Sequence, residues 1–358
     1  MEANNSPLEK KIRKRPLIIA GPCSAETKDQ VIRTAVELQK TGLVDYYRAG
    51  IWKPRTRPGT FEGIGTKGLP WLQEAKKLTK LPVTVEVANA KQVEDALHFE
   101  IDMLWIGARS VVNPASVQEI ANALRGSDAR ILIKNPLSPV LDLWTGAVER
   151  IENAGIKNIG LVHRGFSNLG SMEFRNAPMW HLALEMRKRH PGLAMICDPS
   201  HISGNRNLIG NISRKAADMG FDGLMVETHI SPDKAWSDSG QQITPEQFRT
   251  ILQDIHWQEN KTETKKTSLD EFREVINLID DELLTLLAKR MKMAQKIGEY
   301  KKDHKIKILQ KTRWNEVLQK VIRTGKSLGL SPEFIKMFYA SIHSESLSKQ
   351  KKYEKLNS

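Results

Sequence analysis

Four residues with metal-ligand chemistry stand far apart in the chain: Cys23, His201, Glu227 and Asp238. A thiolate, an imidazole and two carboxylates suit a divalent transition ion and leave a coordination position for substrate. Each has an ordinary alternative when read singly. A lone cysteine is commonly a small buried hydrophobe, and Cys197, inside an apolar run, keeps that reading. A second group is cationic: Arg48, Lys53, Arg55, Arg109, Lys134, Arg164 and Lys215. Converging cations repel one another unless anions lie between them, and guanidinium forks match phosphate and carboxylate geometry. The ligands this predicts are phosphorylated acids; the alternative for any one cation is a surface ion pair. No P-loop run accompanies them, so no nucleotide cofactor is indicated.

Such groups need a scaffold that brings distant positions to one rim. Short apolar runs at 16–20, 44–49, 82–87, 103–107, 130–134, 158–162, 194–197 and 223–226 read as eight strands. Segments of helical period lie between them, as at 28–40, 71–79, 115–124 and 179–189. This alternation over roughly 240 residues predicts an α/β fold, a (β/α)8 TIM barrel, with an open doubly wound sheet as the alternative. In a barrel, chemistry gathers just after the C-terminal strand ends. The runs lead into Gly-Pro-Cys23, Arg48 and Lys53-Pro-Arg55-Thr56, Glu86, Arg109, Lys134-Asn135, His163-Arg164, Asp198-Pro-Ser-His201 and Glu227-Thr-His229.

After residue 257 the apolar residues vanish, and 257–267 reads as a linker between a barrel over 16–256 and a small all-α helical domain over 268–352. Ser268 reads as an N-cap, with Asp270 and Glu271 well placed against the helix dipole. From Leu269 a stripe runs through Phe272, Ile276, Ile279, Leu283, Leu286, Arg290, Met293, Ile297 and Tyr300 in steps of three and four, apolar except at Arg290. It predicts a helix of ~30 residues and ~45 Å. Two more helical patterns follow, at 312–328 and 332–350. Arg290 interrupts the stripe, and Lys301 follows about three turns on, ~16 Å away on the same face. Two such cations suit one small dianion between them; the alternative pairs Arg290 with a glutamate and leaves Lys301 solvated.

Composition bounds the rest. Of 358 residues 40% are hydrophobic and 27% charged, which excludes wholesale disorder. Two distant cysteines argue against a disulfide framework, and no run of ~18 apolar residues or signal-type leader appears, so a cytoplasmic protein off the membrane is expected. The net charge of +13 is concentrated towards the tail, where 19 basic residues face 12 acidic ones from Ser268 onward. It is interspersed with carboxylates and accompanied by no nucleic-acid-binding signature, so nucleic acid is not an expected partner.

The runs GPCS, YRAGIWKPRTRPGTFEG, GAR, HRG, DPSH, ETH and SDSGQQ, with the Lys134 strand end, resemble 3-deoxy-D-arabino-heptulosonate 7-phosphate (DAHP) synthase of the shorter, beta-type branch. The resemblance implies a metal held by Cys23, His201, Glu227 and Asp238, with Mn²⁺ the foremost candidate and Fe²⁺, Co²⁺ or Zn²⁺ as alternatives. It implies condensation of phosphoenolpyruvate, held by Arg48, Lys53, Arg109, Lys134 and Arg164, with erythrose 4-phosphate, whose phosphate falls to Arg55 and Thr56. Lys53 would supply a proton as the alkoxide forms. The related octulosonate 8-phosphate synthases take a five-carbon sugar phosphate and often carry asparagine in place of the cysteine. Cys23 and the Lys53-Pro-Arg55-Thr56 run favour the metal-dependent, four-carbon enzyme.

The tail resembles the all-helical class of chorismate mutase through Arg273, Asp280, Arg290, Gly298-Glu-Tyr-Lys301, Arg313, Ser346 and Gln350. This implies arginines on the two carboxylates of chorismate, with Lys301 and Gln350 on its ether oxygen. Gln310 and Trp314 depart from that pattern, standing where the family has aspartate and a glutamate that contacts the substrate hydroxyl. Arg273 and Lys301 lie 28 positions apart on one helix, ~42 Å, so a second chain must supply Arg273, which predicts a homodimer or larger assembly through the helical domain. The sequence thus points to a bifunctional shikimate-pathway enzyme with feedback by chorismate or prephenate. The alternative is a DAHP synthase whose tail is a non-catalytic regulatory module.

Overall fold

The computed structural model describes residues 15–167, 174–257 and 268–355, so all of the expected linker but Trp257 lies outside the described residues. The chain divides into two compact units, Met1–Thr267 and Ser268–Ser358.

In the first unit each predicted strand forms: β1 (Leu17–Gly21), β2 (Tyr46–Arg48), β3 (Val83–Val87), β4 (Met103–Ile106), β5 (Arg130–Lys134), β6 (Asn158–His163), β7 (Ala194–Cys197) and β8 (Gly223–Glu227). They follow chain order around a closed parallel barrel, so the open sheet is excluded. Closure is made by β8 beside β1, in register from Leu17 opposite Gly223 to Gly21 opposite Glu227. β2 is shorter than its apolar run, and just before it the Asp45 carboxylate accepts the Ile18 N–H at 2.9 Å.

Alternation along the strands separates two cores. Leu17, Ile19, Tyr46, Met103, Trp105, Leu132, Val162, Ile196 and Met225 fill the barrel. Ile18, Ala20, Val83, Val85, Ile131, Ile133 and Leu161 turn outward against the helices. The interior is a plug of side chains, and polar groups are left to the C-terminal rim. Helices at Lys28–Lys40, Leu69–Thr79, Pro114–Leu124 and Trp180–Arg189 match the periodic segments to within two residues. Thr27 caps the first of these by accepting the Gln30 N–H.

The second unit holds α1 (Ser268–Asp303), α2 (Lys311–Ser327) and α3 (Pro332–Lys355). At 36 residues α1 is longer than the stripe required, ~54 Å. Gly329, with φ of +78°, turns the chain between α2 and α3 in a conformation other side chains resist. Among the described residues of this unit, Leu278, Ala294, Ile335 and Ile342 are the buried apolar side chains. The stripe on α1 faces elsewhere: Ile276, Leu286, Met293 and Tyr300 are each more than half exposed. Where α1 crosses α3, Gly298 permits near contact, since a Cβ there would lie 2.9 Å from the Gln350 Cα.

Candidate active sites at the barrel rim and in the helical unit

Gly21 ends β1 with φ of +148°, and a Cβ there would overlap the Arg48 carbonyl oxygen. That close approach brings the loop carrying Cys23 against the end of β2. Cys23 Sγ donates to Asp238 Oδ2 at 3.2 Å, and Lys53 Nζ donates to the same sulfur at 2.9 Å and to the Cys23 carbonyl at 3.0 Å. Asp238 sits in the left-handed region with φ of +49°, a strained conformation of the kind that collects at functional sites. On the adjoining strand ends, His201 Nε2 lies 3.7 Å from Glu227 Oε1. The four ligand candidates therefore stand as two pairs, Cys23 with Asp238 and His201 with Glu227. Among the described residues no three of them close into a ready-made metal cage.

Burial decides the protonation of these groups, with charge as the counterweight. Burial, reinforced by Glu227, pushes the Cys23 thiol up to about 12. It would also raise Glu227, but His201 and Arg48 outweigh it and hold that carboxylate below its usual range. Asp238 is likewise held low, burial being overcome by Arg175 and His201. Burial lowers His201 against the opposing pull of Asp198 and Glu227.

The cations divide similarly. Arg48 Nη2 donates to Glu227 Oε1 at 3.1 Å, while its Nε and Nη1 are buried with no hydrogen-bond partner. Its guanidinium stands 4.9 Å from the Trp105 ring, and Lys134 Nζ stands 5.8 Å from the same ring. Lys134 donates to Asp198 Oδ2 at 2.7 Å. Arg164 is buried, donates to Asn176 at 2.7 Å, and has its pKa lowered by that burial to about 10. Arg109 is more exposed and donates to Thr56 Oγ1 at 3.0 Å. Arg55 donates to the Phe61 carbonyl at 3.0 Å and lies 3.7 Å from Asp238. Lys215 does not join them: it is exposed in the last turn of the Ile209–Asp218 helix, on the outer layer of the barrel.

Several supporting residues carry no mark of their role in the sequence. Asp198 caps the short helix Pro199–Ser203, accepts the His201 N–H, and orients His201 Nδ1 at 2.8 Å. Its place in the DPSH run was visible, but its role was not. Gln241 donates to Glu227 Oε2 at 2.6 Å, and Arg175 reaches both Asp238 and Gln241. Arg175 lies in the connection after β6, whose pattern carries no signal of this.

In the helical unit, Arg290 donates to Ser346 Oγ, and Lys301 Nζ donates to Gln350 Oε1 at 3.5 Å and to the Ile308 carbonyl at 2.7 Å. Arg290 is therefore tied to a serine and not to the glutamate of the alternative reading. Partial burial lowers Lys301. Arg313 is exposed and engages Glu316, one turn along its own helix, at 2.9 Å. Arg273 is an exposed residue near the far end of α1.

A closed barrel whose rim gathers cations around a thiol, an imidazole and carboxylates defines an enzyme acting on small phosphorylated acids. The chain belongs to the DAHP synthetase I family, whose family model matches residues 10–265. The chorismate mutase type II model matches residues 272–351. The chain is a bifunctional shikimate-pathway enzyme that joins a DAHP synthase to a chorismate mutase.

Among its relatives, phospho-2-dehydro-3-deoxyheptonate aldolase of Thermotoga maritima is 31% identical over 66% of this chain and 68% of its own length. A 2-dehydro-3-deoxyphosphooctonate aldolase of Wolinella succinogenes is 29% identical over 67% of this chain and 97% of its own. The crystal structure of the Thermotoga maritima DAHP synthase superposes with a TM-score of 0.59 at 31% identity, over 66% of this chain and 67% of that one. A truncated form from the same organism gives 0.56 at 29% identity, over 66% and 84%. No helix among the described residues is long and apolar enough to cross a membrane.

Proposed function

We propose that the barrel joins C3 of phosphoenolpyruvate to the aldehyde carbon of erythrose 4-phosphate with release of phosphate, and that the helices rearrange chorismate to prephenate. The observation that carries the barrel reading is Arg48, which ends β2 with two buried guanidinium nitrogens lacking any partner. Buried donors of this kind are costly unless a ligand accepts from them. A phosphoenolpyruvate carboxylate supplies that acceptor, with Lys134 beside it on the Trp105 ring. Arg109 and Arg164 then orient its phosphate while water adds at C2 and the C–O bond to phosphate breaks.

Arg55 and Thr56 fit the phosphate of the four-carbon aldose, and Lys53 is the proton donor to the nascent alkoxide. Similarity to the octulosonate aldolases makes arabinose 5-phosphate the competing acceptor to test. Cys23, His201, Glu227 and Asp238 are the residues that would hold a divalent ion, and their donor set suits Mn²⁺, Fe²⁺, Co²⁺ or Zn²⁺. When bound, the ion would supply Lewis acidity at the aldehyde. A thiol pushed up to about 12 needs such a positive partner before it ionises near neutrality.

For the tail, Lys301 and Gln350 meet at one point and suit the ether oxygen, where charge grows as the C–O bond breaks. Arg290 and Arg313 suit the carboxylates. The exposed stripe of α1 supports pairing of two chains, with the partner supplying the Arg273 that one chain cannot bring to Lys301.

A paired assay tests both activities. Dialysis against a strong chelator should abolish phosphoenolpyruvate loss with erythrose 4-phosphate while chorismate loss persists. Cys23→Ser should lower the transition metal retained after gel filtration, measured by elemental analysis. Full condensation in metal-free buffer, or unchanged metal content in the variant, would refute the ligand assignment. Faster turnover of arabinose 5-phosphate would refute the four-carbon assignment.

A further inference from the structure

Chorismate presents two carboxylates, an ether oxygen and one ring hydroxyl. Arg290, Arg313, Lys301 and Gln350 account for the first three by charge and hydrogen bonding, which leaves the hydroxyl. A neutral group that can donate or accept is the chemical complement of a hydroxyl. Trp314, which stands where the resemblance expects a glutamate, carries only an indole N–H donor.

His343 lies against it. The two rings stack with centroids 4.0 Å apart and planes 14° apart, so the indole of α2 fixes the imidazole of α3. His343, Ser346 and Gln350 fall at steps of three and four on α3, which puts the imidazole on the face that meets Arg290 and Lys301. Its Nε2 is buried and has no hydrogen-bond partner. Burial, followed by the charges of Arg290 and Lys301, disfavours its protonation.

We infer that His343, held by the Trp314 ring, is a substrate-contacting residue that hydrogen-bonds the hydroxyl of chorismate through Nε2. The inference rests on the mutase reading of the tail. It assigns Trp314 a positioning role: the indole has displaced a carboxylate, and the imidazole behind it has taken over the polar contact.

The test uses the full chain and the bicyclic dicarboxylate analogue of the rearrangement transition state, prepared with and without its ring hydroxyl. His343→Leu should weaken inhibition by the hydroxylated analogue ~5–10-fold, the size of one net hydrogen bond, and leave the hydroxyl-free analogue within ~2-fold. His343→Gln, which keeps a hydrogen-bonding group, should recover most of the loss and guards against a variant that misfolds. Equal weakening of both analogues, no weakening of either, or no rescue by glutamine would overturn the role of His343. Absence of chorismate turnover by the wild-type chain would instead overturn the mutase reading itself.

Discussion

His163 shows how a polar residue at a strand end can serve the core and not the chemistry. It closes β6 beside the reactive rim, yet its ring is buried among Phe166, Trp180 and Phe221. Burial lowers its pKa to about 3, against an ordinary value of 6.5. The unfolded chain therefore takes up a proton below pH 6.5 that the native barrel refuses until about pH 3. Native stability should fall across that window and cease to fall on this account below it. His163→Phe should flatten that acid limb in urea midpoints measured against pH; an unchanged slope would count against a neutral core histidine. From sequence, His163 and Arg164 looked alike because both follow the same strand. Which one turns away from the aromatic cluster depends on the pleat of β6 and on Asn176, whose contact with Arg164 joins residues of one connection whose pattern gave no hint.

Among the elements, α1 carries the largest mismatch between pattern and burial. Its stripe is regular enough to be found by spacing, but a single chain leaves Ile276, Ile279, Leu283, Leu286, Met293 and Ile297 at 42–60% exposure. An exposed apolar seam of this length, broken only at Arg290, can be covered by a copy of itself. Leu286→Glu should convert a paired species to monomer in analytical ultracentrifugation. It should lower chorismate turnover at least ~10-fold, because a charge at such a seam is buried without a partner. A paired variant with full turnover would contradict this. The strands were legible because a short apolar run bounded by turn residues is too brief for a helix and too apolar for a surface loop. The helix Ala90–His98 was not singled out, being short and burying only Val93 and Ala96.

At the scale of the whole molecule, two compact units share one chain, and the first consumes what opens the pathway whose branch point the second occupies. This arrangement suits feedback in which chorismate or prephenate bound to the helices lowers condensation in the barrel. Cleaving the chain near Thr264 should abolish inhibition by prephenate while condensation continues; identical inhibition of the freed barrel would end the proposal.

Ring closure has a further consequence for how the protein comes into being. β1 finds its second neighbour only in β8, and Cys23 meets Asp238 across 215 positions of sequence. During synthesis the thiol emerges from the ribosome long before the carboxylate that faces it, and contacts so distant form only after the intervening loop has been closed. A nascent chain halted anywhere short of the eighth strand has an unpaired edge on β1 and neither Glu227 nor Asp238 near its cysteine. The rim is complete only once β8 and the loop carrying Asp238 have joined it.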